Sequence, residues 1–107
     1  MLNDNAEARD DAADPLDAIE LQEMLLVLGD PVRFKIVKGL ARLGEANCTR
    51  LDLPVSKSTA THHFQVLRNA GVISTRNEGT ARLSTLRERE MERRFPGFLK
   101  AVLQQQD

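Results

Sequence analysis

The sequence predicts a mainly α fold with one small β-hairpin, and three observations predict it. Apolar residues recur at helical spacing through most of residues 15–70. Three helical stretches open on capping chemistry, at Asp14-Pro15, Asp30-Pro31 and Ser56. The stretch from Val72 to Leu86 breaks the helical pattern, with two runs of β-branched and apolar residues around a glycine.

Length and composition bound the reading. A chain of 107 residues is one small domain with at most an appended tail. Such a domain buries only about two-thirds of its unfolded surface, so a dimer sharing apolar helices fits this size. No apolar run approaches the ~20 residues of a spanning helix, and Met1-Leu2-Asn3-Asp4 lacks the basic and apolar regions of a secretory signal. A cytoplasmic protein is the expectation. The single cysteine, Cys48, has no internal disulfide partner, which agrees with a reducing compartment. The net charge of −1 conceals an asymmetry: residues 1–30 hold nine acids and one base, while the remainder holds 14 bases and seven acids. The body of the protein is therefore basic.

In chain order, residues 1–14 form an acidic segment with almost nothing to bury, read as a disordered tail that either stays solvated or folds over the basic body. A first helix follows from Pro15 to about Leu28. Its Leu16, Ile19, Leu21, Met24, Leu25, Leu26, Val27 and Leu28 exceed one narrow stripe, so it faces both its own core and a partner. Gly29 closes it, and a second helix runs from Pro31 to about Leu43, with Val32, Ile36, Leu40 and Leu43 inward and Arg33, Lys35, Lys38 and Arg42 around them. After Gly44 comes a short element from about Ala46 to Leu53, then the turn Pro54-Val55.

Ser56 to Gly71 is the most informative stretch, because it carries both its own start and stop signals. Ala60, Phe64 and Leu67 give it an inward stripe. Lys57, Ser58, Thr61, His62 and Gln65 fall on the other face. These are mostly short hydrogen-bonding side chains crowded into the first two turns, where a recognition helix meets base edges and phosphates. Ser58 and Thr59 also suit bonding of the helix terminus, and His63, beside Phe64, reads as a packed or capping histidine. Short helix, turn, capped helix is the helix-turn-helix plan. The runs Val72 to Arg76 and Arg82 to Leu86 make the hairpin, with Asn77 to Ala81 between them and Gly79 supplying positive φ. Met91, Phe95, Leu99 and Val102 mark a last helix, with Phe98 and Leu103 beside them and Pro96-Gly97 as a kink or restart.

The order of these elements resembles the ArsR/SmtB family of bacterial winged-helix repressors. Leu28-Gly29-Asp30-Pro31-Val32-Arg33 is similar to the family's second-helix opening, and residues 53–73, with Ser56, Thr61, His62-His63, Val66-Leu67-Arg68 and Ala70-Gly71 in order, are similar to its recognition helix and entry to the wing. The likeness covers about residues 16–104. It implies a dimeric winged helix-turn-helix repressor, released by a small-molecule or other effector that the sequence does not identify, binding an imperfectly palindromic operator in double-stranded DNA. The first and last helices would pair, assigning Leu16, Ile19, Met91, Phe95, Leu99 and Val102 to dimerisation. Positional carry-over assigns DNA contacts to Lys57, Ser58, Thr59, Thr61, His62 and Gln65, with Arg76 and Arg82 on the wing. Neither familiar metal site of the family is present: Cys48 stands alone, and the two histidines lie in the recognition helix. No metal or other cofactor is expected.

Two alternatives stand beside the repressor. One is a metal or redox sensor triggered through Cys48, as a reactive thiol or an intersubunit pair. The other is an antitoxin-like interaction module. Enzymatic activity is not expected, because no nucleophile with an orienting base and no phosphate-cradling loop is present. His62 and His63, adjacent on a helix, point about 100° apart and do not converge.

Overall fold

The computed structural model describes residues 14–104. Of the segment read as an acidic tail, all but Asp14 lies outside the described residues. Seven helices and three short strands are described: α1 (Pro15–Ala18), α2 (Leu21–Leu28), α3 (Pro31–Leu43), β1 (Glu45–Ala46), α4 (Cys48–Leu51), α5 (Lys57–Asn69), β2 (Ile73–Glu78), β3 (Ala81–Leu86), α6 (Glu88–Arg94) and α7 (Phe98–Leu103). The sheet is antiparallel in the order β1-β3-β2. This mostly helical arrangement with a small sheet is compatible with a winged helix-turn-helix.

The expected first helix is two helices. Asp14 caps α1, its carboxylate accepting from Leu16 N at 3.0 Å, but Ile19 and Glu20 are extended. Glu20 and Glu23 then form a capping box that starts α2 afresh. What breaks the helix lies far away in sequence. Arg94 donates from Nε to the carbonyl of Leu16 and from Nη2 to that of Ile19, both at 2.7 Å, so the end of α1 is satisfied by α6 instead of by a further turn. Arg87 adds a second tie, donating to both oxygens of Asp14 at 2.9 and 2.6 Å and to the carbonyl of Gly71 at 3.0 Å.

α3 follows its local signals. Asp30 accepts from Val32 N at 2.8 Å and Arg33 N at 3.1 Å, Pro31 occupies the first helical position, and Gly44 ends the helix at φ 86°. Gly39 has a packing reason: a Cβ there would lie 2.4 Å from Leu51 Cδ2, so glycine lets α4 sit directly on α3. The strand β1 was not apparent from two residues of sequence; it is held by β3, with Glu45 opposite Thr85 and Ala46 opposite Ser84.

The hairpin is tighter than expected. Strand pairing continues to Glu78 opposite Ala81, leaving Gly79-Thr80 as the connection, with Gly79 at φ 60° in the first central position. Pro96-Gly97 makes a full break: α6 ends at Arg94, Gly97 adopts φ 81°, and its N–H is taken by the Glu92 carboxylate. Most of the last-helix stripe turns inward within this chain. Leu16, Met91, Phe95 and Leu99, four of the six residues assigned to dimerisation, are buried in the protomer's own core with Met24, Ile36, Leu67 and Ile73, and Ile19 and Val102 pack partly against it. These four are therefore core residues of the single chain. Among the described residues the large apolar side chains left bare lie instead on α2: Leu21 at 45%, Leu25 at 53% and Leu26 at 76% exposed.

Candidate nucleic-acid interface

α5 is set by its ends and by one buried face. Ser56 Oγ accepts from Thr59 N at 3.2 Å. At the other end the Val72 N–H reaches the Leu67 carbonyl and the Gly71 N–H reaches that of Arg68, both at 3.0 Å, which is the Schellman arrangement with Gly71 at φ 87°. A side chain at Gly71 would also meet Leu16, at 2.7 Å from its Cγ, so the same glycine seats α1 against the end of α5. Ala60, His63, Phe64 and Leu67 are buried. The preceding helix of the pair, α4, is a single turn capped by Asn47, and Asp52 in the left-handed region at φ 53° turns the chain toward Ser56.

His63 is a structural residue, and its partners tie three helices. Arg33 donates from Nη1 to His63 Nδ1 at 2.9 Å, from Nε to the Val27 carbonyl at 2.6 Å, and from Nη2 toward the Leu26 carbonyl at 3.5 Å. An arginine has no acceptor, so Nδ1 takes the proton contact on its lone pair and the ring proton sits on Nε2. Arg33, expected on the solvated side of its helix, is thus a half-buried brace between the end of α2, the start of α3 and the middle of α5. Asp30 completes the corner, 3.9 Å from His63 Nδ1. Burial pushes the Asp30 carboxyl upward, but the N–H groups of Arg33 and Val32 outweigh it and hold it below the ordinary carboxylate value.

The outward face of α5 carries no acid. Lys57, Ser58, Thr59, Thr61, His62 and Gln65 are all exposed. Their commitments differ. Ser56, Ser58 and Thr59 share hydroxyl contacts of the cap, at 3.4 and 3.0 Å from Ser56 Oγ. Thr61 donates its hydroxyl back to the Lys57 carbonyl at 2.9 Å, so outward it offers its methyl and its lone pairs. Gln65 accepts from Arg68 at 2.6 Å and donates to Asn69 at 3.2 Å along the helix surface. Lys57 is without an ion-pair partner among the described residues, and the His62 ring lies 5.7 Å from that of His63, centroid to centroid.

The two hairpin arginines separate. Arg82 lies on the sheet side that faces α5 and lines one cleft with Thr61, Gln65 and Arg68. Arg76 points from the opposite side, where it donates to both carboxylate oxygens of Glu45 at 3.0 and 2.9 Å and pairs with Glu78. Those pairs hold the Arg76 guanidinium strongly in its charged form and lower the Glu45 carboxyl. Of the wing residues assigned to DNA, Arg82 is the one the fold brings beside the recognition face. Sequence reasoning had no signal for the Arg76 pairing, because β1 was not apparent.

Among the described residues no group of three histidine, cysteine or acidic side chains is placed to hold a metal ion, and Cys48 is a free, half-buried thiol. No helix among them is long and apolar enough to cross a membrane.

No family model matches the chain. It is similar to the uncharacterized HTH-type transcriptional regulator YceK of Bacillus subtilis, with 31% identity over 83 residues that cover 75% of this chain and 83% of that protein. It is also similar to an uncharacterized HTH-type transcriptional regulator of Methanocaldococcus jannaschii, with 35% identity over 60 residues, 54% of this chain and 67% of that protein.

Proposed function

Because the chain belongs to the HTH-type transcriptional regulators, we propose that it is a dimeric repressor of the ArsR/SmtB type, whose α5 lies in the major groove of an imperfectly palindromic operator and which an effector releases. The observation that carries the reading is the acid-free, hydrogen-bonding outer face of α5 with Arg82 beside it. In this reading His62, Thr61 and Gln65 read base edges, while Lys57, Ser58, Thr59 and Arg82 hold phosphates. Arg76, spent on Glu45 and Glu78, holds the hairpin in shape.

The dimer in this proposal uses α2. Leu21, Leu25 and Leu26 form an apolar patch on one helix, rather than scattered exposed side chains, and burial against a second copy removes it from water. Two copies would present two α5 helices to half-sites about one helical turn of DNA, roughly 34 Å, apart.

The test is to map the DNA bound in the cell, and then to titrate the recovered sequence against random duplex at several salt concentrations. A regulator of this kind prefers its own site by about 10³-fold or more, with affinity falling steeply as salt rises. Equal affinity for the two duplexes sinks the proposal.

A further inference from the structure

Strand pairs packed against helices fill their inner side with apolar residues, and the rung Ile73 opposite Leu86 does so. The next rung outward is Thr75 opposite Ser84, two hydroxyls where the pattern calls for aliphatic groups. Ser84 is only 4% exposed. Thr75 Oγ1 is buried and has no hydrogen-bond partner among the described residues, a costly state for a hydroxyl taken from water. In front of this rung lies a cleft of about 110 Å³, walled by Cys48 of α4, Phe64 and Arg68 of α5, and Arg82 of β3.

Size and chemistry restrict the occupant. A closed cavity of about 150 Å³ accommodates benzene, so this smaller but open cleft takes a short chain, or the edge of a ring that projects from its mouth. Among the described residues two arginines line it and no acid does, which selects an anion. Arg82 has no ion-pair partner among the described residues. The Phe64 ring gives a hydrocarbon portion somewhere to rest, and the Thr75 hydroxyl supplies a buried donor. We propose that the cleft between α5 and the base of the hairpin binds a small organic carboxylate, whose charge meets Arg82 and the Thr75 hydroxyl and whose hydrocarbon part packs on Phe64. Thr61 and Gln65, exposed on α5, line the same cleft, so a bound carboxylate draws Arg82 away from the DNA backbone and weakens operator binding. That coupling rests on the repressor reading; the site itself does not.

The experiment is an NMR titration of the DNA-free full chain with butyrate and with benzoate, using butanol, benzyl alcohol and inorganic phosphate as controls. The expected result is a saturable shift of Thr75, Ser84 and Cys48 resonances with at least one carboxylate and none with the controls. Thr75→Val, which keeps the shape and removes the orphan hydroxyl, raises the melting temperature and weakens carboxylate binding by about tenfold. No saturable response up to roughly 50 mM, far weaker than a millimolar site, overturns the proposal. So does an equal response to phosphate or the alcohols, or a Thr75→Val variant that melts earlier and binds carboxylate unchanged, because water then satisfies the hydroxyl. Operator titration with and without the effective carboxylate separates the two claims. A chain that binds carboxylate but no DNA refutes the repressor and keeps the site, whereas one that binds operator but shows no carboxylate shift refutes the site alone.

Discussion

α5 and α2 each bury one face and leave the other bare, and the bare faces are opposites. α5 turns Phe64 and Leu67 inward and presents Lys57, Thr61 and His62 outward; α2 turns Met24 and Leu28 inward and presents Leu21, Leu25 and Leu26 outward. The inner faces say only that both helices belong to one core. The outer faces differ in the partners they suit: hydrogen-bonding groups with a basic surround suit a nucleic acid, whereas leucines on one helix suit an apolar surface.

The largest effect that breaks this contrast comes from charging the leucine face. Leu25→Glu with Leu26→Glu is expected to convert a dimer into a folded monomer, because an uncompensated charge in an apolar contact costs about 3 kcal/mol or more. The variant should still unfold cooperatively, since neither side chain is buried within the protomer, with a melting temperature lowered by the lost association and no longer dependent on protein concentration. Sedimentation of the wild type as a monomer, or of the variant as a dimer, would remove α2 from the interface. Substitution at Leu99 is a poor probe of the same question, because that side chain belongs to the core.

The two helices also differ in what holds them. α5 is closed by Ser56 and Gly71 at its own ends, while the α1–α2 segment is shaped by Arg94 from α6 and by Arg33 from α3. Arg94→Ala removes donors to the Leu16 and Ile19 carbonyls and a guanidinium stacked 4.4 Å over the Phe95 ring. A loss of about 2–3 kcal/mol in denaturant unfolding is expected. A value near zero would mean that water replaces the arginine at the end of α1.

This contrast also explains what the sequence made legible. Caps and helical period are local, so α3 and α5 were readable almost to the residue, as was the packed role of His63. The break at Ile19-Glu20 depends on an arginine 75 positions away and leaves no local trace. β1 is two residues long and exists because β3 supplies its partner. Met91 and Phe95 turn inward with α6, before the break at Pro96-Gly97, and Leu99 joins the same core from α7 after it; a count of apolar residues does not distinguish a core face from an interface. For the same reason Arg76 and Arg82 looked equivalent around the hairpin tip until the sheet put them on opposite sides.

On the polar side of the comparison, His62→Ala and Thr61→Ala are each expected to lose about 1–3 kcal/mol of discrimination between operator and random duplex. Lys57→Gln should weaken binding to both duplexes alike and reduce the salt slope by about one. Titration of all three at fixed salt sorts base contacts from phosphate contacts. Full operator preference in both alanine variants would move base reading off this face.

The smallest effect concerns the tie that seats α1 beside the end of α5. The Arg87 guanidinium hydrogen-bonded to Asp14 holds its carboxyl at about 2, below the ordinary 3.8. A carboxyl whose value falls on folding adds stability that is complete above its unfolded value and disappears as pH drops through the folded one. The contribution is therefore present above about pH 4 and gone near pH 2. With the pair partly open to solvent, it amounts to on the order of 1 kcal/mol. Asp14→Asn keeps a good helix cap and removes the charge. Its unfolding free energy should lie below that of the wild type at pH 6 and converge with it as the pH falls from 4 toward 2; a gap that stays constant across that range would assign the whole role of Asp14 to capping and none to the ion pair.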